Sequence, residues 1–203
     1  MDGDHYFTSR PAAPDERRTI AVRLAGREVE VTTATGVFSS HRVDLGTRVL
    51  LREVPPPPAH GQLLDLGCGW GPLALTMAML SPEATVWAVD VNERALDLVR
   101  RNAADLGLTG VRAVRPDEVP DVHLDALWSN PPIRVGKEPL HEMLRAWLPR
   151  LSETGQAHLV VQRNLGSDSL HRWLNTELGP DLQTDRAGSA KGFRVLRVVR
   201  PHA

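Results

Sequence analysis

The sequence predicts an α/β protein: a mostly parallel sheet of about seven strands with helices on both faces, preceded by a β-hairpin and a helix. Three observations carry this reading. After Gly61, short apolar runs rich in β-branched residues alternate with stretches that repeat apolar residues at helical spacing. The first of these runs leads straight into a glycine cluster, Gly67-Cys68-Gly69-Trp70-Gly71, with a helical stretch behind it. The chain also has 203 residues, 41% of them hydrophobic, which suffices for one core of this kind.

The elements follow in order. Residues 1–18 are polar, contain Pro11 and Pro14, and read as a loosely ordered tail. Residues 19–24 and 28–33 alternate apolar and polar positions around Ala25-Gly26-Arg27, a hairpin signal. Asp44 is placed to cap a helix running to about Glu53, with Leu45, Val49 and Leu50 on one face. The prolines at 55–58 cannot lie inside a helix and make a stiff linker, so 19–60 is an extension and 61–203 the main domain. Within that domain residues 63–66, 85–89, 111–114, 124–128, 158–161 and 193–199 read as strands. Residues 73–80, 93–106, 140–151 and 170–178 read as helices, the second stopped by Gly107.

Composition excludes several classes. One cysteine cannot support a disulfide framework, and no Cys/His spacing suits zinc, so no metal is expected. No apolar run approaches a membrane span, and the polar start is unlike a signal peptide, so a cytoplasmic protein is expected. The 24 basic residues are balanced by 25 acidic ones, for a net charge of −1. All but Lys137 and Lys191 of the basic residues are arginine, which has the look of codon composition rather than of ligand recognition.

The glycine run has G-x-G-x-G spacing, with Pro72 where a dinucleotide fingerprint places its last glycine, and no P-loop sequence is present. Asp65, two residues before the first glycine, suits a cationic ligand better than a pyrophosphate. Asp90 ends the second parallel strand about twenty residues after the glycines, where a carboxylate accepts from ribose hydroxyls. Asp117 follows the third strand, placed to accept from an adenine amine. An adenosyl ligand with a cationic tail satisfies all three, and S-adenosylmethionine is that ligand. Cys68, between two glycines, reads as a small residue chosen for fit rather than as a nucleophile.

The fourth parallel strand runs into Ser129-Asn130-Pro131-Pro132. Successive prolines fix φ and hold the preceding residue extended, so the Asn side chain and nearby carbonyls become rigid acceptors at the sheet's carboxyl edge. That arrangement suits methylation of a planar, poorly nucleophilic amine, where acceptors on the N–H groups aim the lone pair at an already activated methyl. Cytosine C5 chemistry is disfavoured, since the loop offers no cysteine for covalent attack.

DLGCGWG, the strand-ending Asp90 and SNPP together resemble class I S-adenosylmethionine-dependent methyltransferases acting on exocyclic or amide nitrogens. With His5–Phe7 (HYF), GVFS at 36–39, VDLGTRVLL at 43–51, SNPPIRVGKE at 129–138 and GFRVLRV at 192–198, the chain is similar to the catalytic domain of the RsmC-like ribosomal RNA guanine-N2 methyltransferases. It is particularly similar to their small, single-domain archaeal-type relatives. The resemblance implies a Rossmann-like fold and a ribosomal RNA or ribosomal-subunit substrate. It implies that Asp65, Gly67 and Gly69, with Cys68 between them, line the methionine side of the cofactor, and that Asp90 and Val91 meet its ribose and Asp117 its adenine. By the same resemblance Asn130, Pro131 and Pro132 hold the target nitrogen, and Phe38 and Thr47 close the pocket. Two departures stand out: Ile133 occupies a position where many relatives have Phe or Tyr, and the duplicated non-catalytic half of the larger bacterial enzymes is missing.

Charge is uneven along the chain. Residues 1–60 carry 8 basic and 8 acidic groups, residues 61–133 carry 5 and 10, and residues 134–203 carry 11 and 7. Arg134, Lys137 and Arg163 follow the fourth and fifth strands, on the rim expected to hold Asn130, and mark a candidate phosphate track with Lys191 nearby. Gln162 is placed to read a base edge or to satisfy a strand end. The leading expectation is guanine-N2 methylation of RNA. Methylation of protein glutamine, adenine or a small-molecule amine, and a non-catalytic cofactor-binding scaffold, are the alternatives.

Overall fold

A computed structural model describes residues 14–133, 136–179 and 181–201. The HYF segment and Arg134 lie outside these residues. The described chain begins with an antiparallel hairpin, β1 (Arg17–Leu24) and β2 (Arg27–Ala34), turned through Ala25 and Gly26, both at positive φ. Helix α1 (Leu45–Glu53) follows, capped by Asp44, whose carboxylate accepts from the Gly46 and Thr47 amides. The rest alternates: β3 (Gln62–Leu66), α2 (Pro72–Leu80), β4 (Thr85–Val89), α3 (Glu93–Asp105), β5 (Val111–Val114), β6 (Leu124–Ser129), α4 (Lys137–Trp147), β7 (Leu151–Gln162), α5 (Ser167–Glu177), β8 (Gln183–Ala190) and β9 (Phe193–Val199).

The main sheet has seven strands in the order β5-β4-β3-β6-β7-β9-β8. β3 to β7 run parallel, while β9 is antiparallel to both its neighbours. Strand order reverses between β3 and β6, so their carboxyl ends frame the crevice where such sheets bind ligands. Alternation along the strands sorts the core into two layers. Leu63, Ala126, Val160 and Val195 face α1, α2 and α3, while Leu64, Leu127, Leu159 and Leu196 face α4 and α5.

The hairpin adds a third layer. Val22, Leu24, Val31 and Ala34 pack with Leu75 of α2 and Leu98 of α3, so α2 is covered on both sides. That is why its sequence, PLALTMAML, is apolar all round rather than striped. Buried Asn102 fastens the layers, accepting from the Thr32 amide at 2.7 Å and donating to the carbonyls of Thr32 and Trp70.

The strand and helix readings hold in kind and shift at some edges. β1 starts at Arg17 rather than residue 19. α4 runs from Lys137 to Trp147 rather than over 140–151, because Pro149 cannot donate an interior helix bond and residues 148–150 form a single 3-10 turn. β7 is much longer than 158–161, its irregular pairing with β6 passing Gly155, where a Cβ would meet the Leu124 carbonyl at 2.3 Å. β8, with the sequence QTDRAGSA, is a polar edge strand with no apolar alternation to signal it.

Candidate functional site

The glycine turn at the end of β3 is set by its backbone. Gly67, Gly69 and Gly71 all sit at positive φ, and the amides of Gly67 and Cys68 both donate to the Val89 carbonyl of the neighbouring strand. Gly71 then opens α2 with Pro72 at its first turn.

Two carboxylates lock this turn. Asp90 accepts from the Gly69 amide at 2.9 Å through one oxygen and from the Asn92 amide at 2.9 Å through the other. Asp65 Oδ2 accepts from the Ala74 amide in the first turn of α2 at 2.8 Å, standing in for the cap the helix otherwise lacks. Asp65 Oδ1 is buried with no hydrogen-bond partner. Burial, with the Asp90 charge adding to it, pushes the Asp65 carboxyl up to about 8, and burial also raises Asp90. The Cys68 thiol is raised further by burial and by both carboxylates, so it stays protonated and is no nucleophile.

Asn130 stands across from the turn. Its Nδ2 donates to Asp44 Oδ2 at 2.9 Å and to Thr47 Oγ1 at 3.1 Å. A carboxylate accepts only, so the amide has one chemically sensible orientation, with Nδ2 toward α1. Its Oδ1 is left without a donor among the described residues. Pro131 and Pro132 behind it are buried, and the Ser129 hydroxyl ties the strand end to the Leu66 carbonyl at 2.7 Å.

These groups line two adjoining spaces that meet at Gly67. A narrow pocket of about 340 Å³ is lined by Phe38, Asp44, Thr47, Asp65, Cys68, Gly69 and Asn130, among others. A wider cleft of about 1010 Å³ is lined by Asp90, Val91, Pro116 and Pro132 on one side and by Pro139, Met143 and Trp147 of α4 on the other. The narrow pocket offers an unpaired carboxylate oxygen at its floor; the wide one offers an apolar slot beside a carboxylate. A cationic amino-acid tail fits the first and an adenosine the second, so the residues present suit S-adenosylmethionine.

Other candidate residues fall elsewhere. Asp117 lies on a single 3-10 turn beside Pro116, paired with Arg115 at 3.6 Å and with its side chain 79% exposed. Ile133 is half-buried and packs against the core under α4 and α5. Lys137 is exposed at the start of α4, and Gln162 is half-buried at the end of β7. Arg163 follows Gln162, its amide bonded to the Gly192 carbonyl, which brings it beside Lys191 in the β8–β9 turn. Phe38 is half-exposed at the pocket mouth, whereas Trp70 and Trp128 are buried.

Sequence reasoning misses two contributions. Asp44 is legible as a helix cap, but nothing in its neighbourhood announces the bond to Asn130, 86 positions away. The α4 wall stays hidden when the helix is started at residue 140; Pro139, Met143 and Trp147 repeat every fourth position and are the signal that shows one face.

Comparison with known proteins agrees with this geometry. The family model described as "Methyltransferase small domain" matches residues 28–197. The uncharacterized protein YbxB of Bacillus subtilis is 33% identical over 82% of this chain and 85% of its own length. The ribosomal RNA small subunit methyltransferase C of Stutzerimonas stutzeri is 32% identical over 94% of this chain but only 58% of its own. The chain thus spans little more than half of that enzyme. Among solved structures, a Thermus thermophilus 16S rRNA N2 methyltransferase (RsmC) in complex with AdoMet and guanosine superposes with a TM-score of 0.79, at 24% identity, over 94% of this chain and 52% of its own. A precorrin-6y C5,15-methyltransferase from Geobacter metallireducens superposes at 0.61 with 17% identity, covering 84% of this chain and 94% of its own, so the fold alone does not set the acceptor.

Proposed function

The chain belongs to the methyltransferase small domain family and is an S-adenosylmethionine-dependent methyltransferase, and from that premise we propose that it methylates the exocyclic N2 of a guanine in small-subunit ribosomal RNA. The observation that carries the proposal is the orientation of Asn130. Its Nδ2 is committed to Asp44 and Thr47, leaving Oδ1 as a fixed acceptor at the mouth of the narrow pocket.

The bound cofactor supplies an activated methyl on a sulfonium; the chain's own residues position the acceptor. Asn130 Oδ1 accepts a hydrogen bond from the exocyclic N–H. This draws the nitrogen lone pair out of conjugation with the ring and disperses the positive charge that grows on nitrogen during transfer. The two prolines keep that acceptor from relaxing, which is what preorganisation requires. Phe38, half-exposed on the opposite lip, offers a ring face to a base that has left its stack. Asp65 and Asp90 hold the turn that receives the cofactor. The site would act on single-stranded, looped or flipped RNA in the cytoplasm, as naked RNA or within a ribosomal subunit.

The test is transfer of labelled methyl from S-adenosylmethionine to total RNA, ribosomal subunits and protein in separate reactions, followed by nucleoside analysis. N2-methylguanosine in the RNA fraction is expected. Label in protein with none in RNA would overturn the proposed acceptor while leaving the family assignment intact.

A further inference from the structure

From the arrangement of charge around the hairpin we infer that the groove between β1 and α1 carries the RNA backbone flanking the methylated base. This inference rests on the RNA reading above and names the surface that serves it. The groove, about 1130 Å³, runs along the side of β1 away from β2, with Val22, Val43, Leu51 and Leu80 among its apolar lining. Its charged rim is one-signed: Arg23, Arg42, Arg48 and Arg52 line it, with His41 among them, and no carboxylate does.

Arginine is abundant in this chain for reasons unconnected with binding, so placement and pairing decide the matter. On other faces many arginines are matched by acids, as Arg17 with Asp15 and Asp97, Arg115 with Glu93 and Asp117, Arg145 with Glu138 and Glu177, and Arg197 with Asp185, or donate to backbone carbonyls, as Arg100 and Arg200 do. Arg27, Arg163 and Arg172 also lack an ion pair among the described residues but do not share one groove with the others. In the groove, Arg52 has Glu53 at 2.7 Å, while Arg23, Arg42 and Arg48 form no ion pair among the described residues. The hairpin's own acids, Glu28 and Glu30, sit on β2 directly across from Arg23 and Ala21, but neither lines the groove and neither forms an ion pair with Arg23. Arg18 reaches His41 Nδ1 at 2.8 Å, so a further guanidinium stands beside the groove's lining. Three unpaired guanidiniums over an apolar floor suit an anionic polymer with planar bases.

Continuity with the active site supplies the register. Phe38, Ser39, Asp44 and Thr47 line the narrow pocket, while His41, Arg42 and Arg48 line the groove. One loop and the first turns of α1 therefore form the wall between the two spaces, and Thr47 and Arg48, adjacent in sequence, face opposite sides of it. A nucleotide whose base enters beside Asn130 past Phe38 has its neighbours' phosphates delivered over that wall.

The experiment measures binding of the full chain to small-subunit ribosomal RNA across a salt series, with the triple variant Arg23→Gln/Arg42→Gln/Arg48→Gln. The control variant Arg101→Gln/Arg172→Gln removes exposed charge from α3 and α5. If the groove holds phosphates, the slope of log affinity against log salt falls by about two in the triple variant, at roughly 0.7 for each single-strand phosphate no longer neutralised. KM for RNA rises at least tenfold, and the control variant matches wild type. Melting temperature and S-adenosylmethionine affinity report that the fold is intact. Wild-type methylation of RNA with an unchanged slope and KM in the triple variant overturns the groove alone. Binding to naked RNA unchanged while binding to assembled subunits falls assigns the groove to a protein partner and also overturns it. Failure of wild type itself to methylate RNA strikes the acceptor reading first.

Discussion

Asp125 at the amino edge of the main sheet and Asp65 at its carboxyl edge are both carboxylates beside a glycine turn, and the fold treats them in opposite ways. At the amino edge, Asp125 Oδ2 accepts from the Gln62 amide at 2.8 Å and Oδ1 from the Ser152 hydroxyl at 3.0 Å. Gly61, at φ +104°, lies so close that a Cβ there would fall 2.2 Å from Asp125 Oδ2. At the carboxyl edge, Asp65 has one oxygen bonded to Ala74 and the other buried without a partner, and Asn130 has its amide nitrogen satisfied and its oxygen free. A buried acceptor left unpaired costs about 1–3 kcal/mol. The paired oxygens of Asp125 are spent on architecture, as those of Asp90 are on the glycine turn, while the open oxygens of Asp65 and Asn130 are the ones a ligand is expected to complete.

The largest effect should come from the open edge. Asn130→Ala removes the fixed acceptor and is expected to lower methyl transfer by about 10²–10³-fold, the scale of losing one preorganised polar group at a reacting centre. S-adenosylmethionine affinity, measured by calorimetry, should stay within about twofold. Full activity in this variant would remove Asn130 from the mechanism.

Asp65→Asn comes next, because it weakens the floor of the pocket rather than the acceptor side. Cofactor affinity should fall tenfold or more. The carboxyl is raised from 3.8 to about 8 in the folded chain, so the free protein keeps a proton there at pH 7 that the unfolded chain has lost. Stability of the wild type thus falls as pH rises from about 4 toward 8, and the advantage of the Asn variant over it grows across that window. A cation beside Asp65 favours the ionised form, so cofactor binding at pH 7 should release a proton. Binding enthalpies in phosphate and Tris would then differ for wild type and agree for the variant. Equal wild-type enthalpies in the two buffers would sink the assignment of Asp65 to the cationic end of the ligand.

Asp44→Ala is expected to act through Asn130. Freed on one side, the amide loses its fixed orientation, so kcat should fall about tenfold with little change in KM, alongside about 1 kcal/mol of lost helix capping. Asp44→Asn keeps an acceptor for both the Gly46 amide and Asn130, and should restore most of kcat. A purely structural role for Asp44 predicts instead that both variants track stability and leave kcat alone.

How much of this is legible in the sequence follows the same division. The glycine turn, Asp65, Asp90 and Asn130 stand out because each is a local pattern: a residue at a strand end, or glycines and prolines that dictate φ. The Asn130–Asp44 bond spans 86 positions, and no local pattern encodes it. The groove is invisible for another reason. Residues 1–60 balance at 8 basic and 8 acidic groups, and only the fold separates them, sending Asp44 to the pocket, Glu28 and Glu30 to β2 and Arg23, Arg42, Arg48 and Arg52 to the groove. β8 escapes because an edge strand exposed along most of its length needs no apolar alternation.

The smallest effect on activity belongs to the closed edge, and it tests the comparison most directly. Asp125→Ala strips the Gln62 amide and the Ser152 hydroxyl of their acceptor, which should cost about 1–3 kcal/mol of stability, read as a lower denaturant midpoint at unchanged slope. Asp125 lies at the opposite ends of the strands from Asn130 and lines neither the narrow pocket nor the wide cleft. In the fraction of protein that remains folded, kcat and cofactor affinity should therefore match wild type. Asp65→Asn inverts this profile, with weaker binding and, above neutral pH, a more stable chain. Residue type is the same in both; the open pairing and complete burial of Asp65, against the closed pairing and partial burial of Asp125, account for two aspartates of one sheet responding with opposite signs. If Asp125→Ala loses activity tenfold while folded, the edges are coupled through β6 and the distinction between architecture and site fails.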